Sequence, residues 1–317
     1  MARPLVTIGV STYNRADGYL QNALESALAQ TYPNLEIVVS DNGSSDGTEA
    51  YVKSFGDERI RYFKQAQNIG ANANFNFCLD QARGDYFLLL HDDDVLDPDL
   101  VESCLNAAAD DTRVGVLRSG TRVIDGAGKV LTEKPNRMGG HSTTELFLSW
   151  FDKGTAIYFC STLFNTRRLR EAGGLRTKTN VFEDVVAIAR LAARYGHADV
   201  LEPKASFRIH GANKGSSVNT VRDWAEDSLY LLQVLREELP RDADTLVAAG
   251  RPYLCARLYR YASLLPSWRE RLQAYVWSYR LFDYSYSPLS YLSKQQVTRL
   301  KDGLRTRVKG RPSGQAA

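Results

Sequence analysis

Tyr86-Phe87-Leu88-Leu89-Leu90-His91-Asp92-Asp93-Asp94-Val95-Leu96-Asp97-Pro98 drives five apolar residues straight into three adjacent carboxylates. An unbroken apolar run stopped in this way reads as a strand buried on both faces, the kind found in a parallel sheet. Asp97-Pro98 reads as an N-cap followed by a proline at the first helical position, which predicts a helix from Pro98 to about Ala109. The acids therefore fall at the C-terminal end of a central strand, where open α/β sheets hold their ligands. Three carboxylates this close repel one another unless a cation sits among them. Their oxygens suit Mg²⁺ or Mn²⁺ bound together with a substrate's phosphates. A solvated acidic loop is the competing explanation, and it leaves the buried strand just before it unexplained.

Upstream, the chain alternates strands and helices. Leu5 to Val10 reads as a strand, and Leu20, Leu24 and Leu28 recur at helical spacing. Leu35 to Ser40 and Arg59 to Phe63 are further strands. Asp46 with Glu49 has the spacing of a capping box. Asn68-Ile69-Gly70 turns into a helix through Arg83, with Gly84 as its C′ glycine. This βαβ pattern predicts a mostly parallel sheet with a Rossmann-like N-terminal half. No strand is followed by GxGxxG or GxxxxGK[ST], which disfavours a dinucleotide site and a P-loop. The turns carry Asn, Asp and Ser instead, as in Asp41-Asn42-Gly43-Ser44. Such residues hydrogen-bond a base and ribose well, and they also make ordinary turns.

Downstream, Val114 to Ile124 reads as strands and Gly126-Ala127-Gly128 as a hairpin turn. Residues 133 to 143 read as a mobile loop, Leu146 to Phe151 as helix, Tyr158 to Phe164 as strand, and Arg167 to Ala172 as a short helix. Glu183-Asp184 opens a helix stopped by Gly196, and two acids there complement the helix dipole. Arg208 and Lys214 flank His210, which suits a phosphate-lined pocket. From Asp223 onward the pattern is helical. It ends in a basic amphipathic segment, Lys294 to Lys309, before a frayed tail. This divides the chain into residues 1–221, an α/β domain, and residues 222–317, a helical extension.

The 317 residues carry a net charge of +3. Arg251 to Arg311 holds 13 Lys and Arg against Glu270, Asp283 and Asp302, so the rest of the chain is acidic. A basic, aromatic-rich extension is expected to meet an anionic surface or a lipid-linked acceptor, or else to serve as a helical cap or dimer interface. Cys78, Cys104, Cys160 and Cys255 are far apart, with no CxxC, and are expected to be reduced thiols in a cytoplasmic protein. No targeting peptide is visible and no apolar run reaches membrane-spanning length.

Taken together, the motifs resemble the family 2 glycosyltransferases of the GT-A fold. The pieces are Val6-Thr7-Ile8-Gly9-Val10-Ser11-Thr12-Tyr13-Asn14-Arg15, Asp41 to Thr48, Asn68-Ile69-Gly70, His91-Asp92-Asp93-Asp94, Gly173-Gly174-Leu175, Glu183-Asp184 and Arg208-Ile209-His210. The resemblance covers residues 3 to about 220 and does not specify a sugar. It implies an NDP-sugar donor (UDP-, dTDP- or GDP-sugar), Mn²⁺ or Mg²⁺, an acceptor hydroxyl, and no nucleic acid. It implies donor contacts at Thr12, Tyr13, Asn14, Arg15, Asp41, Asn68 and Asp92, with Arg208 and Lys214 beside the phosphates. Asp93, Asp94 and His210 would face the metal. Asp184 would be the general base, supported by Glu183. The implied reaction is inverting sugar transfer in cell-surface polysaccharide, glycolipid or metabolite synthesis, in the cytoplasm with a peripheral contact at the inner face of the membrane. A sugar-1-phosphate nucleotidyltransferase would place a basic Gly-rich loop after the first strand, and Ser11 to Gly18 has none. A non-catalytic nucleotide-sugar-binding protein would not need both Asp184 and the acid cluster. A calcium loop at Asp92 to Asp99 would need glycine where Asp97 stands.

Overall fold

The computed structural model describes residues 3–16, 18–210 and 220–294. Lys214 and all but the first residue of the expected Lys294–Lys309 helix lie outside them.

Four parallel strands build the N-terminal half: β1 (Val6–Thr12), β2 (Leu35–Asp41), β3 (Ile60–Lys64) and β4 (Tyr86–His91), ordered β3-β2-β1-β4. Helices α1 (Leu20–Leu28), α2 (Thr48–Ser54) and α3 (Ala71–Gln81) connect them. The register sets Thr12 beside Asp41 and Ser11 beside His91, so the loops after β1, β2 and β4 open from one edge.

The chain continues through β5 (Val95–Leu96), α4 (Leu100–Ala107), β6 (Val116–Asp125), β7 (Val130–Lys134), α5 (Thr143–Phe151), β8 (Thr162–Asn165), α6 (Thr166–Glu171), α7 (Glu183–Tyr195) and β9 (His197–Ile209). Beyond β4 the sheet runs β8-β6-β9-β5, with β7 as a hairpin on β6. β8 is antiparallel to both β4 and β6, whereas β9 is parallel to β6. Helices α8 (Val221–Glu238), α9 (Ala243–Ala262) and α10 (Trp268–Leu281) follow, and the described residues 288–294 are helical again. No described helix is long and apolar enough to cross a membrane.

The organising strand is buried on both faces, as its sequence predicts. Leu88 and Leu90 join a core with Val6, Ile8, Leu24 and Leu100, whereas Phe87 and Leu89 join a second core on the opposite face. Each such side chain contributes about 1.5–3 kcal/mol of transfer free energy. The second core also takes in Ile188, Trp224, Leu231, Leu254 and Tyr259, so α8 and α9 pack on the same apolar layer as α7 and β4. All four cysteines are buried free thiols.

Several local expectations differ from the structure, each for a physical reason. The helix after the acids starts at Leu100, because the Asp97 carboxylate is taken by Arg122 at 2.8 and 2.9 Å. Asp46 and Glu49 form no capping box: Asp46 accepts from Ala16 and Thr48, and Glu49 pairs with Lys53 and Lys64. Gly84 is not a left-handed cap; a Cβ there would lie 2.7 Å from the Thr7 backbone nitrogen, so glycine is required by the close approach to β1. Residues 133–143 are not a free loop. β7 runs to Lys134, Met138 is buried, and Asn136 donates to Asp199 at 2.6 Å. Tyr158 to Phe164 is a 3₁₀ turn, Phe159–Ser161, followed by the short β8.

Candidate active site

The loops after β1 and β2 lock together. Asn14, held at a φ of 53°, donates its N–H to Ser44 Oγ at 2.8 Å and accepts from Ser45 N at 2.9 Å. The Arg15 N–H donates to Thr48 Oγ1 at 3.1 Å. Asp41 is fully buried and accepts from Ser44 N at 2.7 Å and from the Tyr62 hydroxyl at 2.5 Å. Its carboxylate therefore shapes the turn that fronts the edge. Gly43 sits at a φ of 77°, and a Cβ there would lie 2.7 Å from the Gln67 carbonyl carbon. That close approach brings the loop of Asn68 against the turn, where Asn68 Oδ1 accepts from Asn42 and from Gly70. Thr12, Asn14, Arg15, Asp41 and Asn68 are thus brought to one rim, with Tyr13 between them. Lys214 lies outside the described residues.

The acids follow directly. Burial raises the Asp92 carboxyl to about 6, and Arg15, 3.6 Å away, pulls it back down. Asp94 is 1% exposed and accepts from the Arg208 N–H at 2.9 Å. Burial, reinforced by the neighbouring Asp93 charge, pushes its carboxyl well above the usual range. Arg208 also donates through Nε to the Asp93 carbonyl at 2.7 Å, and its guanidinium lies 4.5 Å from the Tyr19 ring centroid. His210 Nε2 stands 3.0 Å from Asp93 Oδ2, with its ring 4.8 Å from that of Tyr19. Strand β9 and the residue that follows it thereby bring Arg208 and His210 onto the acid loop from 114 or more residues away.

His91 is a candidate ligand that sequence reasoning missed. One donor atom each from His91, Asp93 and Asp94 lies within 4.8 Å of the others. Phe75 and Phe159 flank its ring at 5.0 and 5.6 Å. His91 Nε2 and Asp94 Oδ2 are both shut off from solvent without a hydrogen-bond partner. Buried polar atoms are normally satisfied, so this imidazole–carboxylate set fits a divalent cation. The readable signal was an imidazole in the last position of the strand that feeds the acids.

A second acidic site lies at the start of α7. Glu183 is buried and accepts from Asn72 at 3.1 Å; burial pushes its carboxyl up to about 7, and the adjacent Asp184 adds to the rise. Asp184 accepts from the Val185 N–H at 2.8 Å. The helix N-terminus was expected to favour its carboxylate form. Burial outweighs that effect and raises it to about 6, while the Val185 N–H and Arg257 pull it back. The 3₁₀ turn links the two acidic sites. Phe159 of that turn packs edge-on against the His91 ring at 5.6 Å and lies in the same apolar core as Phe182, the residue before Glu183.

The segment before Asp184 is held from α8. Buried Asp227 accepts from Thr177 Oγ1 at 2.5 Å, Thr179 N at 3.0 Å, Val181 N at 2.7 Å and Phe182 N at 3.3 Å. From α9, Arg257 lies over the rings of Phe182 and Trp224, each 5.2 Å away. Both residues come from the helical extension, and neither belongs to a motif visible in the sequence.

The sequence profile described as Glycosyl transferase family 2 matches residues 7–171. An uncharacterized glycosyltransferase of Rickettsia felis is 35% identical over 260 residues, 79% of this chain, and the chain spans 41% of that relative's length. Among solved structures, S. aureus TarS 1-349 with UDP-GlcNAc aligns at a TM-score of 0.55 and 14% identity, over 89% of this chain and 91% of that one. The mannosyltransferase PcManGT from Pyrobaculum calidifontis, with GDP-Man and Mn²⁺, aligns at 0.51 and 18%, over 93% and 87%. With that profile, that relative and the shared GT-A architecture, the chain belongs to glycosyl transferase family 2.

Proposed function

We propose that the protein is an inverting glycosyltransferase that moves a sugar from a nucleotide-diphosphate sugar to an acceptor hydroxyl. The observation that carries this is the pairing of two acidic sites across one 3₁₀ turn: a cluster suited to a cation and diphosphate, and Asp184 at a helix start. The rim of Thr12, Tyr13, Asn14, Arg15 and Asn68 is the donor nucleotide side, its turn shaped from beneath by buried Asp41, with Asp92 at the ribose and Arg208 behind the acid loop.

In the reaction, the acceptor oxygen forms a bond to the anomeric carbon as the bond from that carbon to the diphosphate oxygen breaks. The electron pair leaves with the nucleoside diphosphate. Asp184 takes the hydroxyl proton, making the hydroxyl a competent nucleophile. Attack opposite the leaving group inverts the anomeric centre. Asp93, Asp94, His91 and His210 would hold the cation, which when bound supplies Lewis-acid stabilisation to the departing diphosphate. Imidazole among carboxylates favours Mn²⁺ over Mg²⁺.

Support for a nucleotide-sugar donor comes from the fold neighbours crystallised with UDP-GlcNAc and GDP-Man. The test is calorimetry with UDP, dTDP and GDP, with and without Mn²⁺, followed by transfer assays with the matching sugars. One nucleotide is expected to bind at least tenfold more tightly with Mn²⁺, and His91→Phe and Asp94→Ala should each abolish that gain. Equal affinity in EDTA and in Mn²⁺ counts against the reading.

A further inference from the structure

On α9, the guanidinium of Arg257 is enclosed by π faces: Phe182 and Trp224 at 5.2 Å and Tyr253 at 5.9 Å. Its NH1 donates to the Tyr253 hydroxyl at 3.3 Å. Among the described residues, no carboxylate forms an ion pair with it. Arg257 Nε is shut off from solvent without a hydrogen-bond partner, and so is the indole Nε1 of Trp224 in the same box. Trp224 is itself clamped, its ring stacked on Tyr261 at 4.2 Å. Two buried N–H groups without acceptors, one on a permanent cation, are costly unless something supplies oxygen atoms. Both groups are donors only, so the missing partner must be an acceptor, and the charge selects an anionic one. The box also has a fixed place relative to the chemistry. Phe182 immediately precedes Glu183 and Asp184, and Arg257 is near enough to Asp184 to stabilise its carboxylate.

We infer that Arg257 and Trp224 form an acceptor subsite for an oxyanion, so that the acceptor carries a phosphate or a carboxylate close to the hydroxyl that reacts. This rests on the transferase reading and names the acceptor class that reading leaves open. Phosphate and carboxylate share the required chemistry, and the fork of a guanidinium binds either through two parallel hydrogen bonds.

The test uses the full chain with Mn²⁺ and the donor identified as above. Three acceptor probes are compared: a neutral methyl hexoside, a hexose 1-phosphate and a methyl hexuronoside. Wild type is expected to favour one anionic probe over the neutral one by about tenfold or more in kcat/KM, the scale of a charged hydrogen bond. The better anionic arm identifies phosphate or carboxylate. Arg257→Gln should bring that ratio near one, Arg257→Lys should keep part of it, and Trp224→Phe, which retains the ring, should lower it severalfold. An equal loss on neutral and anionic probes in Arg257→Gln, or no anionic preference in wild type, overturns the subsite. A second measurement is independent of turnover: inorganic phosphate titrated against tryptophan fluorescence. A response in wild type that is missing in Arg257→Gln supports the subsite even if no donor is consumed, an outcome that would overturn the transferase reading instead. Identical titrations of the two proteins overturn the subsite.

Discussion

At the scale of single residues, the proposed base Asp184 and its neighbour Glu183 carry different expectations. Asp184, raised to about 6, is mostly ionised at neutral pH yet basic enough to accept a proton. Asp184→Asn keeps the shape and the hydrogen bond from Val185 but cannot take that proton. Transfer is expected to fall ~10²–10⁴-fold, with nucleotide affinity and melting temperature near wild type. A base acts in its ionised form, so the proposed role requires wild-type kcat to drop as pH falls through about 6, and a flat profile between pH 5 and 8 would contradict the assignment. Glu183 has a different consequence. Its folded value of about 7 lies above its ordinary 4.5. Between these values the folded state binds more protons than the unfolded one, so this group makes stability fall as pH rises from about 4.5 to about 7. Glu183→Gln should therefore raise the melting temperature at pH 8, by a stabilisation of about 1–3 kcal/mol, and leave it little changed at pH 4. Its effect on transfer should be milder than that of Asp184→Asn. Melting curves at the two pH values decide this, and an equal shift at both would refute it.

At the scale of elements, the segment from Thr177 to Phe182 is positioned by α8. Asp227 gathers four donors from that segment with one buried carboxylate. Asp227→Asn turns an NH₂ group toward donors that need an acceptor. The expected loss is on the order of 3 kcal/mol, with faster hydrogen exchange at Val181 and Phe182 and a fall in kcat that exceeds any change in nucleotide affinity. Unchanged exchange there would mean that α8 does not hold the segment before Asp184. The legibility of the site follows the same division. The four parallel strands, the acid cluster and the Glu183-Asp184 helix start were readable because each is written in consecutive residues with a clear period. Leu88 and Leu90 facing one core and Phe87 and Leu89 the other is the direct product of that period. Asp227 was not readable, because its partners lie 45 to 50 residues away and a lone aspartate in a helical pattern carries no local signal. The start of α4 was misplaced for a related reason: Asp97 had the right residue type for a cap, but Arg122 across the sheet takes its carboxylate. The Ser142–Glu145 capping box starts α5 at Thr143, inside the stretch expected to be a loop.

At the scale of the whole molecule, α10 leaves Trp268, Leu272, Val276 and Trp277 exposed, and Arg269 and Arg271 lie on the same helix. Aromatic and aliphatic side chains beside arginines match the interfacial zone of an anionic bilayer. The full chain is expected to co-sediment with phosphatidylserine vesicles at low salt and to be released as ionic strength rises, and Trp268→Ala with Leu272→Ala should weaken the binding. Equal partitioning onto neutral and anionic vesicles would rule this out.

The apolar layer shared by β4, α7, α8 and α9 bears on how such an enzyme can be re-engineered. Trp224 packs in the same core as Phe87 and Ile188, and Leu254 and Tyr259 of α9 lie there with it. The helices that present Arg257 and Asp227 are therefore part of the scaffold rather than a cassette to be exchanged. Grafting a relative's helices would disturb the packing beneath β4 at the same time. If the aromatic box selects the acceptor as proposed, specificity and foldability are inherited together, and point substitution inside the box is a better route to a new acceptor than shuffling segments.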